Sequence, residues 1–255
     1  MAVRTDRDIE PDQEELQGQM SFLEHLEELR SRILKILIAT AIAFAACFAF
    51  SDELFRIVAR PITALVPELV FTTVTEPFNL TMKIALLAAI FLASPFIMAQ
   101  VWLFISPGLY RHERRYALPF ILSSSLLFVT GGVFGYFIGF PYTLKFLVDW
   151  GRGFGLKEML TAAAYFDTFI MVELGLGLVF QIPAVIFVLS RIGLITPQFL
   201  VRNSKYAVLL SFVAAAVITP SGDAMTMMVF AVPIILLYFL GVIVAFIFGK
   251  KRTKE

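Results

Sequence analysis

The sequence predicts an all-α membrane protein of six kinked transmembrane helices with both termini in the cytoplasm. Three observations carry this. Of 255 residues, 59% are hydrophobic and 16% charged, with mean hydropathy +0.83. A soluble domain of this length has too little interior to hide so much apolar surface. The apolar residues fall into six stretches, about 33–50, 80–105, 116–140, 161–190, 206–218 and 225–248, with the charges gathered between them. A bilayer core of about 30 Å takes about 20 helical residues to cross, and most of the stretches meet that length. Lastly, Lys and Arg are unevenly shared between alternate connecting segments. With the N-terminus inside, fifteen fall on the cytoplasmic side, among them Arg111, Arg114, Arg115, Arg191 and Arg202. Five fall outside: Arg56, Arg60, Lys145, Arg152 and Lys157. That is the positive-inside bias.

Taken in order, residues 1–20 are polar, acidic and Gln-rich, and are expected to be disordered. The membrane domain is placed at 21–248 and a basic cytoplasmic tail at 249–255. No cleavable signal peptide is expected, so the first span itself must direct membrane entry. Ser21 and Glu24 form a capping-box pattern. Phe22, Leu26, Leu29 and Ile33 follow at helical spacing, so an amphipathic helix on the inner surface runs into the first span. Pro61, Pro67 and Pro77 divide the outer segment 51–79, where Asp52–Ala59 suits a short surface helix. Pro141–Leu160 is a second outer segment; its Gly151, Gly153 and Gly155 lack the dinucleotide spacing. Pro95, Pro119, Pro183 and Pro233 lie within spans and should bend them. Tyr206–Ile218 is short, about 20 Å of helix, and the turn at 219–223 sends the chain straight back.

Composition also excludes function classes. Cys47 is the lone cysteine, so no disulfide framework or cysteine metal cluster is expected. His25 and His112 lack ligand spacing, and no nucleophile sits in a catalytic motif. An enzyme, a metal, a cofactor and nucleic-acid binding are not expected. No internal repeat or matched pair of broken spans suggests the usual secondary-transporter plan.

Three groups of polar residues remain. On the inner face lie Glu24, His25, Glu27, Glu28, Arg30 and Arg32, and the loop at Arg111, His112, Glu113, Arg114 and Arg115. These make either a solvated face with pairs such as Glu28–Arg32 or a carboxylate pocket for a cation. A carboxylate accepts a guanidinium in a two-bond fork that Lys cannot copy. Within spans lie Lys83, Gln100, Glu173 and Gln181. Lys83 is expected to snorkel to the interface and anchor its helix. Glu173 and Gln181 are eight residues apart on roughly one face, serving either helix packing or a functional site. Asp223 suits the N-cap of the last span.

Several strings together resemble the TatC family, the multi-spanning subunit of the twin-arginine protein translocase. They are Phe22–Arg32 and Pro77-Phe78 with Lys83; Ser94-Pro95, Gln100–Tyr110 and His112–Arg115; Ser123–Phe128, Tyr136-Phe137 and Phe140-Pro141; and Phe180–Pro183, Thr219-Pro220 and Asp223. The resemblance covers about 21–248. It implies the receptor core of an export complex in the cytoplasmic membrane of a prokaryote, driven by the proton gradient. It implies that Glu28 and Glu113 contact a twin-arginine signal peptide, with Arg30, Phe104 and Arg115 beside them. It further implies single-span TatA-like and TatB-like partners, docked against spans five and six, and a homo-oligomeric complex. Gln181, Glu173, Thr219 and Asp223 are carried over as intramembrane polar or partner-helix positions. The chain departs from the pattern in places. Gln181 stands where the family often has Glu, Glu173 stands where an apolar residue is usual, and Phe239 follows Tyr238 where an acid is common. The rival reading is a small-solute or ion carrier built on Glu173 and Gln181.

Overall fold

The computed structural model describes residues 22–66, 68–105, 117–155, 159–219, 221 and 223–249. Its elements are helical: α1 Phe22–Phe48, α2 Ser51–Thr63, α3 Glu76–Ile105 and α4 Ala117–Phe134 come first. A π-helix Gly135–Gly139 follows, then α5 Phe140–Gly153, α6 Ala162–Val179, α7 Ile182–Ile192 and α8 Pro197–Arg202. The chain closes with α9 Ser204–Ile218 and α10 Ala224–Phe248. Among the described residues, five segments are long and apolar enough to cross a membrane: Leu23–Phe48, Glu76–Ile105, Ala117–Gly153, Ala162–Ile192 and Ala224–Phe248. Helix α9, at 15 residues, is shorter. The Ser21 half of the expected capping box lies outside the described residues.

Two boundaries differ from the sequence reading. The third span does not stop near Phe140, because α4 continues through the π-helix into α5 and ends at Gly153. Pro141 allows this because it sits in the first turn of α5, where a missing N–H costs little. The fourth span is broken at Phe180–Gln181, just before Pro183, and so divides into α6 and α7. The expected helix at Asp52–Ala59 is present and runs on to Thr63, burying Val58, Ala59 and Ile62.

The core is continuous. Phe166, Val172 and Leu176 of α6 meet Leu80 and Ile84 of α3 and Phe230 and Ile234 of α10. Lipid cannot drive helices together as water does, so close approach through small residues matters. Helices α4 and α6 meet in this way. A Cβ on Gly131 would lie 2.8 Å from the Leu176 carbonyl oxygen, and one on Gly177 would lie 2.7 Å from the Phe128 ring. Large apolar residues such as Ile42, Leu126, Leu210 and Leu236 point outward, as expected where lipid is the solvent.

The end of the bundle that carries α2 is tied by polar contacts. Tyr165 and Tyr136 donate their hydroxyls to the carbonyls of Val58 and Ile57, at 2.7 and 2.8 Å. Val70 and Thr161 form a parallel bridge. Buried Glu76 accepts from the Thr72 amide and hydroxyl and, through its other oxygen, from the Ala163 amide at 2.8 Å. One carboxylate thus joins the start of α3 to the start of α6, where the helix dipoles favour an anion.

Candidate functional site

At the opposite end, where α1 begins, polar side chains converge from α1 and α3. Glu28 lies on the face of α1 that packs along α3, and its side chain is only 14% exposed. Arg32, one turn on, donates Nε to Glu28 Oε1 at 2.9 Å, and its Nη2 reaches the same oxygen. The remaining arm, Nη1, donates to Gln100 Oε1 of α3 at 3.1 Å. The i,i+4 pair expected from spacing is therefore present, and a buried amide on the neighbouring helix orients it. Glu28 Oε2 is buried and accepts no hydrogen bond among the described residues. The His25 ring stands beside this oxygen, with Nδ1 at 3.9 Å. The His25 ring stacks on Phe104, with centroids 4.4 Å apart.

The structure thus brings Glu28, His25, Arg32, Gln100 and Phe104 together. Arg30 is exposed on the same helix. Glu113 and Arg115 lie outside the described residues. An apolar wall continues from this group, since Trp102 of α3 packs on Phe120 of α4 with ring centroids 4.8 Å apart. Chemically, the arrangement offers one carboxylate oxygen that no described residue donates to, beside two stacked rings. That combination suits a planar cation, by hydrogen bonding and by stacking.

The polar positions deeper in the spans are mostly committed to internal contacts. Gln181 donates Nε2 to the Ser124 carbonyl of α4 at 2.9 Å. Thr219 donates its hydroxyl back to Ala215 at 2.7 Å. Asp223 caps α10, accepting from the Thr226 amide at 2.8 Å and from the Ser221 and Thr226 hydroxyls. Partial burial pushes its carboxyl up, but the hydrogen bonds from Ser221 and Thr226 and the Met225 amide outweigh this and lower it to about 2. Glu173 is the exception. It is 3% exposed, its Oε1 has no hydrogen-bond partner among the described residues, and it faces Gly132 and Gly135. Both Glu173 and Gln181 reach α4, in keeping with a shared face, but they are separate sites.

Sequence reasoning missed two acids. Glu76 was passed over as part of a Pro-broken loop. Asp167 was passed over inside an apolar run, yet it binds Lys83 at 2.6 Å. Lys83 is therefore held by an acid of another helix, and not simply drawn to the interface by a flexible stem. The signal was available: a Lys seven residues into one span calls for an acid at similar depth in another, and Asp167 lies five residues after Ala162.

The bundle, its buried acids and its apolar outer faces define a polytopic helical membrane protein. Comparison with known proteins gives the family. Residues 24–233 match the family model described as Sec-independent protein translocase protein (TatC). The chain is 45% identical over 249 residues to the TatC of Koribacter versatilis, covering 95% of this chain and 91% of that one. It is 36% identical over 243 residues to the TatC of Aquifex aeolicus, covering 92% and 97%. A crystal structure of the twin arginine translocase receptor TatC superposes with a TM-score of 0.76 at 37% identity, over 88% of this chain and 99% of that one. The chain belongs to the TatC family of protein translocase components and is a bacterial membrane protein.

Proposed function

We propose that this protein is the receptor core of a twin-arginine translocation complex in the cytoplasmic membrane. In this reading six spans leave both termini in the cytoplasm. Glu28 and Glu113 take the paired guanidiniums of the signal peptide there, flanked by Arg30, Phe104 and Arg115. Copies of this chain form a homo-oligomer within the complex, single-span TatA-like and TatB-like subunits dock on it, and the proton gradient drives export of folded cargo. Gln181, Glu173, Thr219 and Asp223 are the intramembrane and partner-helix positions. The domain limits are 1–20, 21–248 and 249–255.

One observation carries the receptor reading: Glu28 keeps a buried oxygen with no hydrogen-bond partner among the described residues, while Arg32, held by Gln100, fixes its other oxygen. An incoming guanidinium donates a hydrogen bond to that oxygen, and it does so in a desolvated place where a charge-assisted bond is strong. The test is binding of a fluorescent twin-arginine peptide to the full-length protein in nanodiscs. Glu28→Gln and Glu113→Gln are each expected to weaken binding about tenfold or more, at about 1.4 kcal/mol per tenfold. A twin-lysine peptide should bind the wild type poorly. Unchanged affinity in both variants refutes the reading. A carrier working through Glu173 and Gln181 would be indifferent to these changes.

A further inference from the structure

Helices α1 and α3 do not close on each other along their whole length. Towards the α2 end they leave a cleft of about 590 Å³, within the range of small-molecule sites. Its walls come from one stripe on each helix: Leu37, Ala41 and Phe44 on α1, and Met82 and Leu86 on α3. Leu37, Ala41 and Phe44 stand at i, i+4 and i+7 and Met82 and Leu86 at i and i+4, so each helix presents an apolar stripe to the gap. Leu37, Met82 and Leu86 are exposed to the lipid side. The cleft is not apolar throughout. Asn79 and Lys83 line it as well, one turn apart on α3. Lys83 stands seven residues from the α2 end of that helix, about 10 Å along its axis, which is close to the boundary between headgroups and acyl chains.

Lys83 is paired with Asp167 of α6 at 2.6 Å, and both side chains are about half exposed, 50% and 52%. An exposed ion pair by itself contributes little to stability. Here one member of the pair, Lys83, lines a mostly apolar cleft, and Asp167 is within 2.6 Å of it. The ammonium has three donors and Asp167 occupies one of them. Among the described residues the pair therefore presents a positive end with further donors next to a negative end with a second oxygen. A single anion is a poor match, because it gains Lys83 and meets Asp167. A headgroup with its own adjacent opposite charges is a good match.

We propose that this cleft is a binding site for an aminophospholipid of the phosphatidylethanolamine type. One acyl chain lies between α1 and α3, the phosphate sits against Lys83 and Asn79, and the primary ammonium donates to Asp167. The headgroup lies antiparallel to the ion pair, so each charge meets its opposite. The choline headgroup has the same charges but no N–H to donate. The glycerol headgroup has hydroxyls but no cation, and leaves Asp167 facing a net negative lipid. The site thus selects on the amine, and the lipid fills the gap on the thinly covered side of α1. This inference does not depend on the receptor reading.

The test is native mass spectrometry of the full-length, delipidated protein, titrated separately with palmitoyl-oleoyl phosphatidylethanolamine, phosphatidylcholine and phosphatidylglycerol. The wild type is expected to retain the ethanolamine lipid about tenfold more tightly than the choline lipid, the worth of one charge-assisted hydrogen bond. Asp167→Asn should reduce that preference towards parity. Ala41→Phe, which fills the cleft and leaves the pair intact, should weaken retention of all three lipids. Should single changes at the pair unfold the protein, the exchange Lys83→Asp with Asp167→Lys restores a pair of the same kind and should restore the ethanolamine preference. Equal retention of ethanolamine and choline lipids by the wild type overturns the proposal. So does a preference for the glycerol lipid, an ethanolamine preference that survives Asp167→Asn, or retention unaffected by Ala41→Phe.

Discussion

Glu173 shows how tightly a single side chain can dictate its neighbours. Its carboxylate fills the space that a side chain at Gly135 would need: a Cβ there would fall 2.6 Å from Oε1. At Gly132 the corresponding distance to Oε2 is 3.2 Å, with the Phe91 ring nearer still at 2.5 Å. Both glycines are required by close approach: the acid is what approaches Gly135, and the Phe91 ring comes closest to Gly132. Gly135→Ala should therefore destabilise the protein by about 1–3 kcal/mol, the usual cost of overpacking. Glu173→Ala in the same chain should remove most of that penalty, because the clash is with the carboxylate and not with backbone. Chemical denaturation in detergent measures the double-mutant cycle. A coupling below about 0.5 kcal/mol would show that the two residues do not contend for the same space.

At the scale of elements, helix ends are fixed by carboxylates that the chain supplies locally. Asp223 accepts from the third residue of α10 and orders Ser221 in the preceding turn. Asp223→Ala should cost about 1 kcal/mol, a typical N-cap. The pH dependence has a definite sign. The folded-state carboxyl titrates at about 2, below its ordinary 3.8, so its contribution is complete above pH 3.8 and lost as pH falls through 2. Hydrogen exchange in the first turn of α10 should rise across that window in the wild type, relative to Asp223→Asn, once both are corrected for the intrinsic acid dependence of exchange. The cap was legible because Asp before an apolar run is a local signal. The short helix at Asp52–Ala59 and the Glu28–Arg32 pair were legible for the same reason: their partners lie within four residues. Glu76, Asp167 and the Arg32–Gln100 bond were not, since each joins helices 68 to 87 residues apart in sequence or, for Asp167, 84. The π-helix was hidden because it continues one helix into the next. Pro141 in its new first turn looks the same in sequence as a proline that ends a span.

For the molecule as a whole, the number of crossings decides on which side each site works, and α9 decides the number. At 15 residues it is about 22 Å long, short of a core of about 30 Å. If α9 crosses, six passes bring both ends of the chain to one side, and the Glu28 cluster shares that side with Arg202 and Lys205. If it does not cross, the charge bias between the two faces loses its simple form. The packing favours a crossing. Helix α9 runs against α10 and also touches α6, and its buried Ala215 and Ile218 join the same core as Phe230 and Ile234. Six crossings would also put fifteen Lys and Arg of the connecting segments on one side against five on the other, the bias that membrane proteins favour. The lone Cys47 makes the question easy to settle. In a Cys47→Ser background, single cysteines replace Phe154 beyond α5, Lys205 at the start of α9 and Met225 at the start of α10. A membrane-impermeant maleimide added to intact spheroplasts should label Phe154→Cys and Met225→Cys and spare Lys205→Cys until the membrane is opened. Labelling of Lys205→Cys and Met225→Cys from the same side would mean that α9 turns back within one leaflet. The Glu28 cluster and the end of α10 would then lie on opposite sides of the membrane.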